Sequence, residues 1–179
     1  MQSVYLLLIR SNTYLSRAIH LITGDEFTHI SISFDRTFTN CYSFGRKWER
    51  LPFPAGLVQE NFSLNQNRNY YDSPCSIYEL RVSTTTFDCA KLFVEQFVKR
   101  REQYHYSLLG LICCAFSVNF RRKKHYFCSQ FIGEILVHSK MVELPKPPGL
   151  MHPIDYAYLK ESYHFYSGKL CELQQSLAV

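Results

Sequence analysis

The sequence is poor in glycine and proline, with seven of each among its 179 residues. It also has no repeat at the spacing of solenoid proteins. Together these two absences exclude collagen-like, low-complexity and repeat architectures. Hydrophobic residues make up 46% of the chain and aromatic residues 16%, which is enough to bury one sizeable core. We therefore predict a single domain over residues 1–179.

The pattern of apolar and charged residues also shows no targeting or membrane-spanning signal. Residues 1–10 contain a short apolar run, but they show neither a basic leader nor a small-residue cleavage site, and we interpret them as a buried strand. The longest later apolar stretch, residues 108–118, has about half the length that crosses a bilayer. We expect no transmembrane segment and a location in the reducing cytoplasm.

The seven cysteines are an odd number, and no CxxC pair or cysteine–histidine cluster has the spacing of zinc ligands. Cys113 and Cys114 are adjacent, which is too close for the usual tetrahedral site. Most of the cysteines lie in apolar surroundings that are typical of buried free thiols. We predict neither a metal nor another cofactor.

The basic excess, a formal charge of +5, is clustered in residues 99–101 and 121–124. Such clusters are most often solvated loops or helix ends. No aromatic-interleaved RNA-binding signature accompanies them, so we consider nucleic acid an unlikely partner.

Hydrophobic periodicity predicts an α+β fold, a small antiparallel sheet packed against helices. Residues 46–74, rich in proline, asparagine and aromatic residues, are interpreted as a long surface loop, and a short helix is expected from Pro153 and Asp155. A helix cap is predicted within residues 83–86. The predicted strands are residues 4–10, 29–34, 39–44 and 76–82, of which the second and third form a hairpin, and the predicted helices are residues 14–22, 87–101, 108–116 and 128–138.

Cys128 is the residue best placed for a role in catalysis. The neighbouring apolar residues follow the 3–4 spacing of a buried helical face, and this spacing places Cys128 in the first turn of a helix. There the helix dipole and the free backbone N–H groups favour a thiolate over a thiol. A lone cysteine in a helix is more often a core residue, so a catalytic role requires a nearby base.

His29 is our candidate for that base, because it opens a strand whose next residues on the same face, Ser31 and Ser33, are small. A third polar group is needed to hold the imidazole tautomer, and Asn40 and Ser43 on the partner strand are the candidates. The other histidines compete for the role: His20, His105, His125, His138, His152 and His164.

Three segments together resemble a known family. They are Thr28-His29-Ile30-Ser31-Ile32-Ser33, Tyr42-Ser43-Phe44-Gly45-Arg46 and Tyr126-Phe127-Cys128-Ser129-Gln130-Phe131-Ile132. Their order, histidine then polar residue then cysteine, is similar to that of the circularly permuted branch of the NlpC-type, papain-like cysteine hydrolases. The resemblance implies a permuted papain-like fold, with Cys128 as nucleophile and His29 as general base. Ser43 matches the position of the third residue, where permuted members often have a carboxylate.

The chemistry that this resemblance implies is acyl transfer through a Cys128 thiolate, with His29 protonating the leaving group. Tyr106 is our candidate for a second oxyanion donor beside the backbone N–H of Cys128. The expected substrate is a peptide, an amide or an acyl ester. A binding module that retains the scaffold for a lipid or peptide ligand, with little catalysis, remains the alternative. The substrate's identity and the oligomeric state stay open.

Overall fold

The structure is a computed structural model, which describes residues 1–10, 14–46, 55–62 and 72–173. Within these ranges it contains eight strands, four α-helices and short 3-10 helices at 101–103, 148–150, 153–158 and 170–172. The strands are β1 (Gln2–Ile9), β2 (His29–Ser33), β3 (Cys41–Arg46), β4 (Ala55–Glu60), β5 (Pro74–Val82), β6 (His105–Tyr106), β7 (His125–Tyr126) and β8 (Ser162–Lys169). The helices are α1 (Tyr14–Thr23), α2 (Thr84–Lys99), α3 (Leu108–Ala115) and α4 (Cys128–His138).

Six of the strands form one antiparallel sheet in the order β4-β3-β2-β1-β5-β8. The central strand β1 is buried over most of its length, and it pairs with β2 on one side and β5 on the other. β6 and β7 pair with each other in parallel and bring Tyr106 opposite Tyr126, two residues before α4. The result is an α+β fold.

The sheet separates two hydrophobic cores, because successive side chains of a strand point to opposite faces. Leu6 and Leu8 of β1 belong to the larger core, together with Ile30 and Ile32 of β2. Tyr5, Leu7 and Ile9 belong to a smaller core on the other face. We call these the helix-covered face and the second face.

Helices α2 and α4 pack on the helix-covered face. Phe131 of α4 lies between the rings of Phe44 in β3 and Phe97 in α2, with centroid distances of 5.0 and 5.2 Å. Ser83 caps α2 by accepting a hydrogen bond from the backbone N–H of Thr86. This packing fixes where α4 begins, and therefore where Cys128 lies.

Most of the predicted elements are confirmed, including the hairpin of β2 and β3, the cap at Ser83 and the start of α4 at Cys128. The interpretation of residues 46–74 as a long loop is wrong in part, because β4 lies within it and pairs along the whole of β3. Residues 47–54 and 63–71 of that segment lie outside the described residues. No strand was predicted at β8, which forms the opposite edge of the sheet, or at the two-residue strands β6 and β7.

Candidate active site

Cys128 is the first residue of α4, and its side chain is 3% exposed. Phe127 is the N-cap in an extended conformation, and its side chain makes no capping hydrogen bond. The backbone N–H groups of the first helical turn have no partner within the helix itself. An acyl oxygen next to the Cys128 sulfur could therefore accept a hydrogen bond from the helix end.

The first turn of α4 is held from the side by Tyr156. The buried Tyr156 hydroxyl donates a hydrogen bond of 2.6 Å to the carbonyl oxygen of Ser129. Burial raises the pKa of this phenol well above its ordinary value, so that it remains a donor. Gly133 permits this close approach, because a Cβ there would lie 2.8 Å from the Tyr156 hydroxyl and 2.9 Å from Pro148. The nucleophile's backbone is thereby fixed by packing and by one hydrogen bond.

Gln130 also lies in this first turn, and its side chain is almost completely buried. Its amide oxygen has no hydrogen-bond partner among the described residues. A buried polar atom without a partner costs roughly 1–3 kcal/mol, which is why such atoms are rare away from functional sites.

An apolar cavity of about 210 Å³ opens beside Cys128. Its walls come from α1, from α3 and from the segment around Met151, and Phe127 and Ser129 flank the sulfur. The few polar or thiol-bearing side chains that line it, apart from Cys128 and Ser129, are Thr23, Asp25, Thr28, Cys114 and His152.

Asp25 and His152 form an ion pair at the wall of this cavity, with 2.5 Å between His152 Nδ1 and Asp25 Oδ2. The hydrogen bond to Asp25 raises the pKa of His152 to about 10, and a hydrogen bond with the Cys114 thiol adds to the effect. Burial opposes ionisation of Asp25, but the hydrogen bond and charge of His152 outweigh it, so the pKa of Asp25 is lowered. The cavity therefore contains a carboxylate, an imidazolium and two thiols, those of Cys114 and Cys128.

His29 lies in a different polar cluster. Its Nε2 is 3.0 Å from Glu60 Oε2 and 3.2 Å from Oε1, and the Ser31 hydroxyl donates to the same carboxylate at 2.5 Å. Gly45 of β3 runs next to the ring, since a Cβ there would lie 3.7 Å from His29 Cε1. The side chains of His29 and Glu60 are about nine-tenths buried.

The register of the strands places this cluster on the second face of the sheet. His29 is paired with Ile9, and Glu60 with Cys41, and both Ile9 and Cys41 belong to the smaller core. Cys128 belongs to the larger core on the helix-covered face. No hydrogen bond joins Cys128 to His29 in the part of the chain that the structure describes.

The other predicted site residues have these positions. Ser43 donates a hydrogen bond of 2.6 Å to the carbonyl oxygen of Ile30, so its hydroxyl is engaged with the backbone of β2. Asn40 accepts a hydrogen bond from Gln59 and donates one to Thr39 at the surface. Tyr106 packs at the margin of the larger core. The group that holds the His29 imidazole is the Glu60 carboxylate, rather than Ser43 or Asn40.

Glu60, Asp25 and Cys114 were not predicted as site residues, and His152 was predicted only as one of the competing histidines. Glu60 fell in a segment interpreted as a loop. Asp25 and His152 are 127 residues apart, and no local spacing connects them. The one local signal was the position of Asp25, a carboxylate that follows Gly24 and the end of α1.

Among the described residues, no three histidine, cysteine, aspartate or glutamate side chains lie together in a way that could hold a metal ion. A search of the same residues for a helix that is long and apolar enough to cross a membrane also finds none. No model of a protein family matches the chain. A search of curated proteins likewise gives no match.

Proposed function

We propose that this protein is a cysteine hydrolase that works by acyl transfer through Cys128. The observation that carries the proposal is the position of this residue, which begins an anchored helix and lines a cavity that also holds an imidazole–carboxylate pair. Nucleophilic cysteine catalysis uses a thiol, an imidazole and a polar group that orients the imidazole, and a carboxylate can be that group.

In the proposed reaction the Cys128 thiolate attacks the carbonyl carbon of an amide or ester and forms a thioester. The leaving amine or alcohol takes a proton from an imidazolium. Water then attacks the thioester, and the imidazole accepts its proton while the thiolate departs. The backbone N–H of Cys128 would stabilise the oxyanion of both tetrahedral intermediates. A role for Tyr106 as a second donor stays a prediction.

Two imidazoles are candidates for the base. His152 is favoured by its position, since it lines the same cavity as Cys128 and is held by Asp25. His29 is favoured by the resemblance to permuted papain-like hydrolases, and Glu60 would then be the third residue of the site. A general base contributes roughly 10²–10⁴-fold to the rate, so substitution of each histidine should separate the two.

The lining of the cavity favours a substrate with an apolar acyl part. Side chains such as Leu111, Phe127 and Met151 form most of its wall. The volume is below the roughly 300 Å³ at which ordinary small-molecule pockets begin, so a narrow chain fits better than a ring system. The same cavity supports the alternative function, a scaffold that binds a lipid or peptide without turning it over.

A trapped acyl-enzyme would test the proposal. The protein is incubated with p-nitrophenyl esters of increasing chain length and is quenched in acid, and peptide mass spectrometry locates the added acyl mass. We expect acylation of Cys128, absent in Cys128→Ser, with Cys113 as an internal control because it is adjacent in sequence to a cavity thiol but does not line the cavity. Acylation rates in His29→Ala and His152→Ala identify the base. Equal, slow acylation of all seven cysteines would favour the binding scaffold.

A further inference from the structure

The mouth of the cavity is surrounded by exposed apolar side chains, which is unusual because large apolar residues are normally buried when they are close together. Phe116 is 67% exposed and Ile112 is 46% exposed, and both also line the cavity. We call the whole set the apolar rim; it consists of Ile22, Leu108, Ile112 and Phe116, which line the cavity, and of Leu21, Leu109 and Val118, which are exposed next to them in the chain.

The apolar rim belongs to two elements that contact each other, α1 and α3 with the residues that follow α3. Its surface is therefore continuous with the interior of the cavity. A chain of methylene groups could pass from the rim to the sulfur of Cys128 without crossing a charged side chain other than the Asp25–His152 pair in the wall.

A cluster of positive charge follows the rim directly in the chain. Residues 121–124 are Arg-Arg-Lys-Lys, and all four side chains are exposed. Arg121 pairs with Glu134 at 2.5 Å, and Lys124 donates to Gln103 at 2.7 Å. Arg122 and Lys123 form no ion pair with any described residue. Arg122 is four residues from Val118, so at most about 14 Å of chain separates them.

We propose that the apolar rim and the cationic side chains of Arg122 and Lys123 dock on an anionic lipid surface, with the cavity opening towards the acyl chains. Aliphatic side chains next to lysine and arginine are the composition of helices that lie in a membrane interface. A nucleic acid would gain nothing from the rim, which offers it aliphatic surface rather than stacking platforms. A second copy of the chain could cover the rim, but the adjoining basic pairs would then repel each other.

Vesicle sedimentation tests this surface, using phosphatidylcholine vesicles with and without phosphatidylserine. We expect the unmodified protein to bind the anionic vesicles more tightly, and added salt to weaken binding. The double variant Ile112→Ser, Phe116→Ser should bind about tenfold more weakly or worse. The double variant Arg122→Gln, Lys123→Gln should lose roughly fivefold per charge removed, on anionic vesicles only.

Leu92→Ser is the matched control, because Leu92 is an equally exposed apolar residue on α2, away from the cavity. It should bind vesicles like the unmodified protein. Circular dichroism and thermal unfolding of each variant verify that it is folded. Cys128→Ala should also bind normally, so failure of the hydrolase proposal and failure of this surface give different results.

Four outcomes would overturn the inference. One is that the protein does not bind either kind of vesicle. Another is that Leu92→Ser weakens binding as much as the rim variant does. The third is that sedimentation equilibrium shows a dimer that the rim variant dissociates. The fourth is that substitution of Arg122 and Lys123 weakens binding to a short nucleic-acid duplex but not to anionic vesicles.

Discussion

The two sides of the sheet each bury a histidine against a carboxylate, but the side chains around the two pairs differ. On the second face, His29 and Glu60 are surrounded by hydroxyl groups and small residues, and both side chains are at most 10% exposed. On the helix-covered side, His152 and Asp25 border an apolar cavity with two thiols, and their side chains are 22% and 14% exposed. The first arrangement satisfies a buried polar group, whereas the second leaves the imidazole next to space that a ligand can enter.

An imidazole–carboxylate pair alone therefore does not identify an active site. Both pairs have the hydrogen bond that orients a general base. What separates them is access to a nucleophile and to a substrate, which is a property of the surrounding walls. Substitutions on one side of the sheet at a time can separate the two pairs.

The largest effect is expected from Phe131, which fills the space between α4 and the helix-covered face. Phe131→Ala should lower the free energy of unfolding by about 3–5 kcal/mol, because it removes a fully buried ring that packs on Phe44 and Phe97. Urea denaturation measures this loss. Leu92→Ala on the exposed side of α2 is the control, with an expected change within about 0.5 kcal/mol. A comparable loss in both variants would mean that α4 is not packed as described.

The next change is Asp25→Asn, which removes the charge that holds His152. Because the folded pKa of His152 is raised to about 10 from 6.5, the pair stabilises the fold fully below pH 6.5, and this contribution disappears as the pH rises through 10. The pKa of Asp25 is lowered, so its contribution to the free energy of unfolding is present above about pH 3.8 and is lost as the pH falls below that value.

We therefore expect Asp25→Asn to cost about 1.5–3 kcal/mol between pH 4 and 6.5, and much less above pH 10. Urea denaturation at pH 6 and at pH 10.5 measures the difference. A cost that does not depend on pH would show that His152 is neutral in the native protein.

Glu60→Gln is the matched change on the second face. It replaces the carboxylate beside His29 with an amide of the same shape, and we expect a loss of about 1–3 kcal/mol in the free energy of unfolding. If His29 is only structural, the acylation rate of Cys128 stays within a factor of two or so of the unmodified rate. A fall of roughly 10²-fold or more would assign the catalytic base to the second face.

A smaller effect is expected at the cap of α2. Ser83→Ala removes the side chain that accepts the Thr86 N–H and should cost about 1 kcal/mol. Ser83→Asn, which restores a capping oxygen, should recover most of the stability. Thermal unfolding of the three proteins would measure this, and equal losses in Ala and Asn would contradict the role of the cap.

The part of the fold that was predictable from the sequence is the part with strong periodicity. The buried strands β1, β2 and β5 and the amphipathic helices α2 and α4 have apolar residues at regular spacing, and their boundaries were predicted to within a few residues. Four strands were missed. β6 and β7 are only two residues long, and β4 and β8 are the edges of the six-stranded sheet. An edge strand is half exposed and needs little hydrophobic alternation, so its sequence resembles that of a loop.

The site was less predictable for a different reason. Cys128 was found because the signal for a helix start is local. The carboxylates were not found, because Glu60 on β4 contacts His29 on β2 across the intervening strand β3, and Asp25 contacts His152 only through the tertiary fold. Ser43 and Asn40 were reasonable candidates by strand pairing, but a hydroxyl facing a carbonyl oxygen and an exposed amide are positions that only the three-dimensional structure distinguishes.

The pH dependence of alkylation at Cys128 is the most direct test of the central claim, that this residue is an activated nucleophile in a cavity. Iodoacetamide labelling is followed by peptide mass spectrometry, with the other six cysteines as internal controls. We predict that Cys128 is labelled much faster than the other six cysteines at neutral pH, and that labelling is slower in the variant of whichever histidine acts as base. Labelling of Cys128 that is as slow as that of the buried Cys41 and Cys75 at every pH would contradict the claim.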